Sequence, residues 1–111
     1  MGVLKQINMK PETIAEGRER YIAYTDNLMV VVIDFEDGPT PEPDTPHAHP
    51  HEQITYVVTG EVNFFLDGEP THLVPGDMVT IPPNVEHTIQ PLTKHVRLLD
   101  AFHPLRQDFI T

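Results

Sequence analysis

Punctuation constrains this chain more than any other feature. Twelve prolines and six glycines read as turn punctuation along its 111 residues. The runs between the breaks, 21–25, 28–36, 53–59, 62–67, 72–74, 78–81, 87–90 and 96–102, are rich in β-branched and aromatic residues. Thirty Val, Ile and Thr residues against four Ala confirm that bias toward strands. The breaks carry turn chemistry: Asp26-Asn27, Asp37-Gly38, Pro75-Gly76-Asp77, Pro82-Pro83-Asn84 and, sharpest, Asp67-Gly68, where a tight hairpin needs φ > 0. Residues 38–46 hold four prolines and read as an extended loop. Only 10–18 offers a helical turn. Short strands at this spacing predict an all-β fold, a small antiparallel sandwich or barrel, in one domain spanning residues 1–111.

Seven Lys+Arg against seventeen Asp+Glu give a formal charge of −10, which repels phosphate backbones and anionic bilayers. Nucleic acid and membrane are therefore not expected partners, and no apolar run reaches membrane-spanning length. The absence of cysteine removes disulfides and thiolate metal sites. With no signal-peptide pattern in the first twelve residues, cytoplasmic residence is expected. Strand 53–59 presents Gln53, Thr55 and Val57 on one face and Ile54, Tyr56 and Val58 on the other, and neither is a wet face. Residues 30–33 show the same pattern. A short chain has few elements to cover a second sheet face, so a homodimer is expected, with the N-terminal arm 1–18 at its interface.

The seven histidines are not evenly spread. His47-Ala48-His49-Pro50-His51 is followed by Gln53, and His87 stands after a proline turn. Imidazole is a common ligand for divalent transition metals, and positions i and i+2 of a strand share a face, so His47 and His49 can converge on one ion. Gln53 and His87 can join them. A scatter of satisfied core or surface histidines would account for any one of these alone, and does account for His72 and His95. Pro50 bends the chain before His51, and the role of His103 stays open.

These residues resemble the two cupin motifs. The spacing of His47, His49, Gln53 and Gly60 matches the first motif, and that of Gly76, Pro82, Asn84 and His87 matches the second. The resemblance implies a cupin jelly roll holding one divalent transition metal (nickel, zinc, iron, manganese or cobalt) on His47, His49, Gln53 and His87. Departures are Gln53 where the general pattern has Glu, Pro41 for the leading Gly, Asn84 for a turn Gly and Pro91 for a usual Asn. Three imidazoles and an amide leave the metal charge uncompensated, which favours an anionic or hydroxylated substrate.

Over most of the chain from Gly17 onward, the segments 22–24, 26–30, 49–57, 81–85 and 98–102, with Pro104, Arg106, Asp108 and Phe109, look like the pectin-degradation cupins. That resemblance implies metal-dependent ring opening of 4,5-unsaturated monouronates, from pectin or alginate, to the linear 4-deoxy-5-keto uronate. Asp100 and Phe102 share a face of the last strand, so both can line the interior. Asp100 would move protons, Arg106 would clamp the substrate carboxylate and Phe102 would wall the sugar ring. Two other classes fit the same histidines: a ferrous dioxygenase, which would want an apolar pocket, and a non-catalytic sugar-binding cupin.

Overall fold

A computed structural model describes residues 2–110. After a 3₁₀ turn at Gln6–Asn8 come nine strands: β1 Glu12–Ala15, β2 Arg18–Tyr24, β3 Met29–Phe35, β4 Glu52–Thr59, β5 Val62–Leu66, β6 Glu69–Leu73, β7 Met78–Ile81, β8 His87–Pro91 and β9 Val96–His103. One helical turn, α1 Gln107–Ile110, ends the described chain. The strands form a six-stranded sheet ordered β1-β2-β3-β9-β4-β7 and a three-stranded sheet ordered β6-β5-β8, with every pairing antiparallel. This is the expected jelly-roll sandwich. No helix among the described residues is long and apolar enough to cross a membrane.

Alternation along two central strands divides the interior into a packed end and a polar end. In β9 the inward residues are Val96, Leu98, Asp100 and Phe102, and in β4 they are Gln53, Thr55 and Val57. Val57, Val96 and Leu98 join Phe35, Val62, Phe64, Leu73 and Ile81 in the main core. At the opposite end the polar side chains Gln53, Thr55 and Asp100 are equally buried but have no apolar reason to be there. A second cluster of Met29, Val31, Phe102 and Leu105, with Phe109 and Ile110 packed on it, seats the C-terminal segment beside that polar end.

Local rules held where the sequence was explicit. Asp67 (φ 51°) and Gly68 (φ 83°) make a two-residue turn between the paired Leu66 and Glu69, and Asn84 takes φ 66° as a turn glycine would. The loop 38–46 is extended and lies along β8: the amides of Thr40 and Asp44 donate to the carbonyls of Pro91 and Ile89, at 3.1 and 3.0 Å. The segment 10–18, expected to turn as a helix, is instead β1 and a reverse turn at Gly17 (φ 78°) into β2. Pairing of Glu12 with Arg20 and Thr13 with Glu19 overrides its weak helical preference. The expected arm 1–18 is correspondingly shorter. Residues 12–15 belong to the sheet and 16–17 turn into β2, and Met1 lies outside the described residues.

The outward face of the larger sheet explains the missing wet face of β4. Register places Ala23, Val30, Ala101, Ile54 and Thr80 in one cross-strand row and Tyr21, Val32, Leu99, Tyr56 and Met78 in the next. Neither row contains a charge. The following row begins a charged rim, where Arg97 donates to both carboxylate oxygens of Asp34 at 2.7 and 2.8 Å. Leu4 and Met9 of the arm lie over the Tyr21–Val32 end of this face, while Ile54 and Met78 remain 47% and 67% exposed.

Candidate functional site

Two backbone devices bring the histidines together. The proline loop ends at His47, whose amide donates to the His87 carbonyl at 3.0 Å, and the His87 amide returns the bond to His47 at 2.9 Å. The amide of Asn84, in the turn before β8, donates to the His49 carbonyl at 2.8 Å. The His47 and His87 ring centroids are then 4.4 Å apart and those of His49 and His87 4.9 Å apart. One ring nitrogen from each of the three lies within 4.8 Å of the others. Gln53, at the start of β4, turns its Oε1 to within 2.9 Å of His49 Nε2.

The donor set has the polarity that a cation needs. Nδ1 of His87 donates to the Val85 carbonyl at 2.9 Å, which leaves a lone pair on Nε2, and that buried atom has no hydrogen-bond partner. Nδ1 of His49 likewise faces the His51 carbonyl at 2.9 Å, so the Nε2 lone pair points at the Gln53 oxygen. Two acceptors facing each other, beside an orphaned third, are stabilised by a positive charge between them. Burial first, and then the neighbouring His87 and His49, hold the His47 pKa down at about 4. The His87 pKa is also lowered, chiefly by burial. Both rings are neutral at pH 7, the form that binds metal. The group His47, His49 and His87 is therefore a candidate metal site, with Gln53 able to supply a fourth donor.

A hydrogen-bonded line leads away from it. Gln53 Nε2 donates to Thr55 Oγ1 at 2.9 Å, and Thr55 Oγ1 donates to Asp100 Oδ1 at 2.6 Å. Burial raises the Asp100 pKa to about 6, against the opposing pull of the Thr55 and Gln53 bonds and of Arg106. A carboxyl with that value exchanges protons readily near neutrality. Phe102 meets the His49 ring edge-on at 5.7 Å, and the Phe64 ring lies parallel to His87 at 6.3 Å. Arg106 projects from the C-terminal segment over Phe102 and Phe109, and its Nε and Nη2 donate to Asp108 at 3.1 and 2.8 Å.

His47, Gln53, His87, Asp100, Phe102 and Arg106 help to line one cavity of about 280 Å³, and His49 adjoins it through its contacts with His87 and Gln53. Two further arginines reach it that sequence reasoning did not single out, Arg18 and Arg20 on β2. Arg18 is bound on both edges by Asp37 and Asp44, whereas Arg20 donates to Glu12 at 2.7 Å and lies over the Phe109 ring. Their i, i+2 spacing was the available signal, hidden because the strand's opening residues Arg18-Glu19-Arg20 carry no apolar pattern. His51 adjoins His49, with ring centroids 5.5 Å apart, and lies near Arg106, which lowers its pKa after burial does. His72 and His95 are exposed and pair with Glu61 and Glu36. His103 is on the outer face, at the rim of a separate cleft.

Residues 31–102 match the family of cupin domains. The chain is 34% identical over 101 residues to the pectin degradation protein KdgF of Dickeya dadantii (strain 3937), covering 89% of each. Among solved structures, KdgF from Halomonas sp. superposes with a TM-score of 0.88 at 33% identity, over 98% of this chain and 99% of that one. An RmlC-like cupin from Shewanella frigidimarina NCIMB 400 gives 0.86 at 34% identity, over 96% and 93%.

Proposed function

The chain belongs to the cupin domain family, and on that premise we propose that it opens the ring of 4,5-unsaturated monouronates to the linear 4-deoxy-5-keto uronate. The observation that carries this reading is one small cavity lined by two members of a three-histidine group, a buried carboxyl poised near pH 6 and an arginine beside an aromatic wall. The likeness to proteins named for pectin degradation supports the substrate class.

His47, His49, His87 and Gln53 would hold one divalent ion, of nickel, zinc, iron, manganese or cobalt. When bound, the metal would supply a Lewis acid that orients substrate oxygens and makes a hydroxyl easier to ionise. The reaction is an isomerisation. A proton leaves the hydroxyl on C1, the bond from C1 to the ring oxygen breaks, and C4 of the resulting enolate takes a proton. No other reactant enters. Asp100, ionised in most molecules at pH 7, accepts the hydroxyl proton and returns a proton to carbon. Arg106, already oriented by Asp108, receives the substrate carboxylate, and Phe102 closes the site against the ring. Three arginines on one cavity, each already oriented by a carboxylate, support an anionic substrate.

The same proposal has two copies associate through the uncharged rows on the outward face of the larger sheet, and places the activity in the cytoplasm. The test mixes purified protein with a lyase-generated unsaturated monouronate and follows loss of the conjugated double bond's ultraviolet absorbance. Loss faster than the spontaneous rate, removed by chelator, restored by a divalent metal and absent in His49→Ala is the expected result. A metal-replete protein that matches the spontaneous rate would overturn the proposal.

A further inference from the structure

We propose that Thr55 is a positioning residue whose hydroxyl turns the carbonyl end of Gln53 toward the three histidines. The inference rests on the metal-centre reading above, and concerns a residue that reading leaves without a role.

Thr55 is 1% exposed and points inward from the middle of β4, two residues before Val57 on the same face. A valine there would fill nearly the same space. Burying a hydroxyl instead costs free energy unless both its donor and its acceptor are used, and here both are. The Gln53 amide nitrogen can only donate, so Thr55 Oγ1 accepts from it at 2.9 Å. The hydroxyl's one hydrogen is then committed to Asp100 Oδ1 at 2.6 Å.

Direction follows from that count. Were the amide turned by 180°, its oxygen would face a Thr55 oxygen whose hydrogen is already engaged. Its NH₂ would face the histidines, where it cannot bind a cation. The observed line from Asp100 through Thr55 thus leaves Gln53 Oε1 beside His49 Nε2, 2.9 Å away. A glutamate at position 53 would not need this help, because both ends of a carboxylate are acceptors. An amide has one ligating end, and the threonine selects it together with Asp100, which the Gln53 amide also reaches.

The experiment measures cobalt(II) binding by visible absorbance in the wild type, Thr55→Val, Thr55→Ser, Gln53→Glu and the double variant Gln53→Glu/Thr55→Val. Thr55→Val is expected to weaken binding about 10- to 100-fold, the usual range for losing a group that orients a ligand. Thr55→Ser should bind as the wild type does. In the Gln53→Glu background, Thr55→Val should change affinity by less than about threefold, because no amide remains to be turned. Should Thr55→Val unfold, Thr55→Ala tests the same loss of hydroxyl. Equal affinity in wild type and Thr55→Val, or the same loss in both backgrounds, would overturn the inference and leave the metal centre standing. A wild type that binds no cobalt would remove the metal reading and this inference together.

Discussion

Asp100 links the site to the stability of the chain at the scale of a single residue. Its pKa is about 6 in the folded protein against an ordinary 3.8. Between those values the folded state binds more protons than the unfolded one, so stability falls as pH rises through the window. Above pH 6 the full cost is present, about 3 kcal/mol for a shift of roughly two pH units. His47 works in the opposite sense: held neutral down to about 4, it favours unfolding as pH drops below 6.5. In metal-free protein, Asp100→Asn keeps an acceptor for Thr55 and removes the buried charge. It should be more stable than wild type by about 1–3 kcal/mol at pH 8, with the difference shrinking toward zero near pH 4. Urea unfolding at both pH values reads this out, and a difference independent of pH would refute it. The grouping of His47, His49 and His87 with Gln53, and the inward face of Asp100, were legible because spacing and strand parity are local. Thr55 was seen only as one face of a strand, since its meaning depends on Asp100, 45 residues away.

At the scale of elements, the strand runs from residue 28 onward were readable because apolar blocks alternate with explicit turn residues. The failures have physical causes. β2 begins at Arg18, three residues before its apolar pattern, because the early positions carry arginines that face a cavity. β6 includes Pro70, which discourages a strand assignment yet is tolerated on a sheet edge. β1 is held by pairing with β2 alone. Gly60, between β4 and β5, shows how tightly such joints are built. Its φ is +79°, and an added Cβ would overlap the His95 carbonyl oxygen and crowd Thr93. Gly60→Ala should therefore cost about 2 kcal/mol or more, combining left-handed strain with displacement of the turn before β9. Gly68 has φ +83° but open space around it, so Gly68→Ala should cost only about 1 kcal/mol. Thermal unfolding of the two variants checks the order.

For the whole molecule, the unresolved parity of strand 53–59 becomes a surface. Its second face, Ile54, Tyr56 and Val58, lies on the outside of the six-stranded sheet among uncharged neighbours, with a charged rim at Asp34 and Arg97. An apolar centre with a polar edge is how interfaces between subunits are organised. Ile54→Glu places a charge in the centre of this face, on the side of β4 away from Gln53 and Thr55. Sedimentation should show the wild type as a dimer and Ile54→Glu shifted to monomer, with cobalt binding retained. A wild type that sediments as a monomer at micromolar concentration would refute the dimer. What the sequence could not display is which strands the jelly roll brings side by side, and so neither the two extra arginines nor these cross-strand rows were visible before the fold.

The proline loop along β8 has one more effect. An unpaired strand edge is a template on which another chain can add a strand and begin a fibril. Here that edge is occupied by residues 38–46, bonded to β8 through Thr40 and Asp44 and clasped by Arg18 on Asp44. Proline lacks the amide hydrogen that an incoming strand would need, so this covering cannot itself become a continuous template. The segment that delivers His47 to its place is thus also a guard against aggregation. Substitutions that loosen it should be read in inclusion bodies and turbidity as much as in metal content.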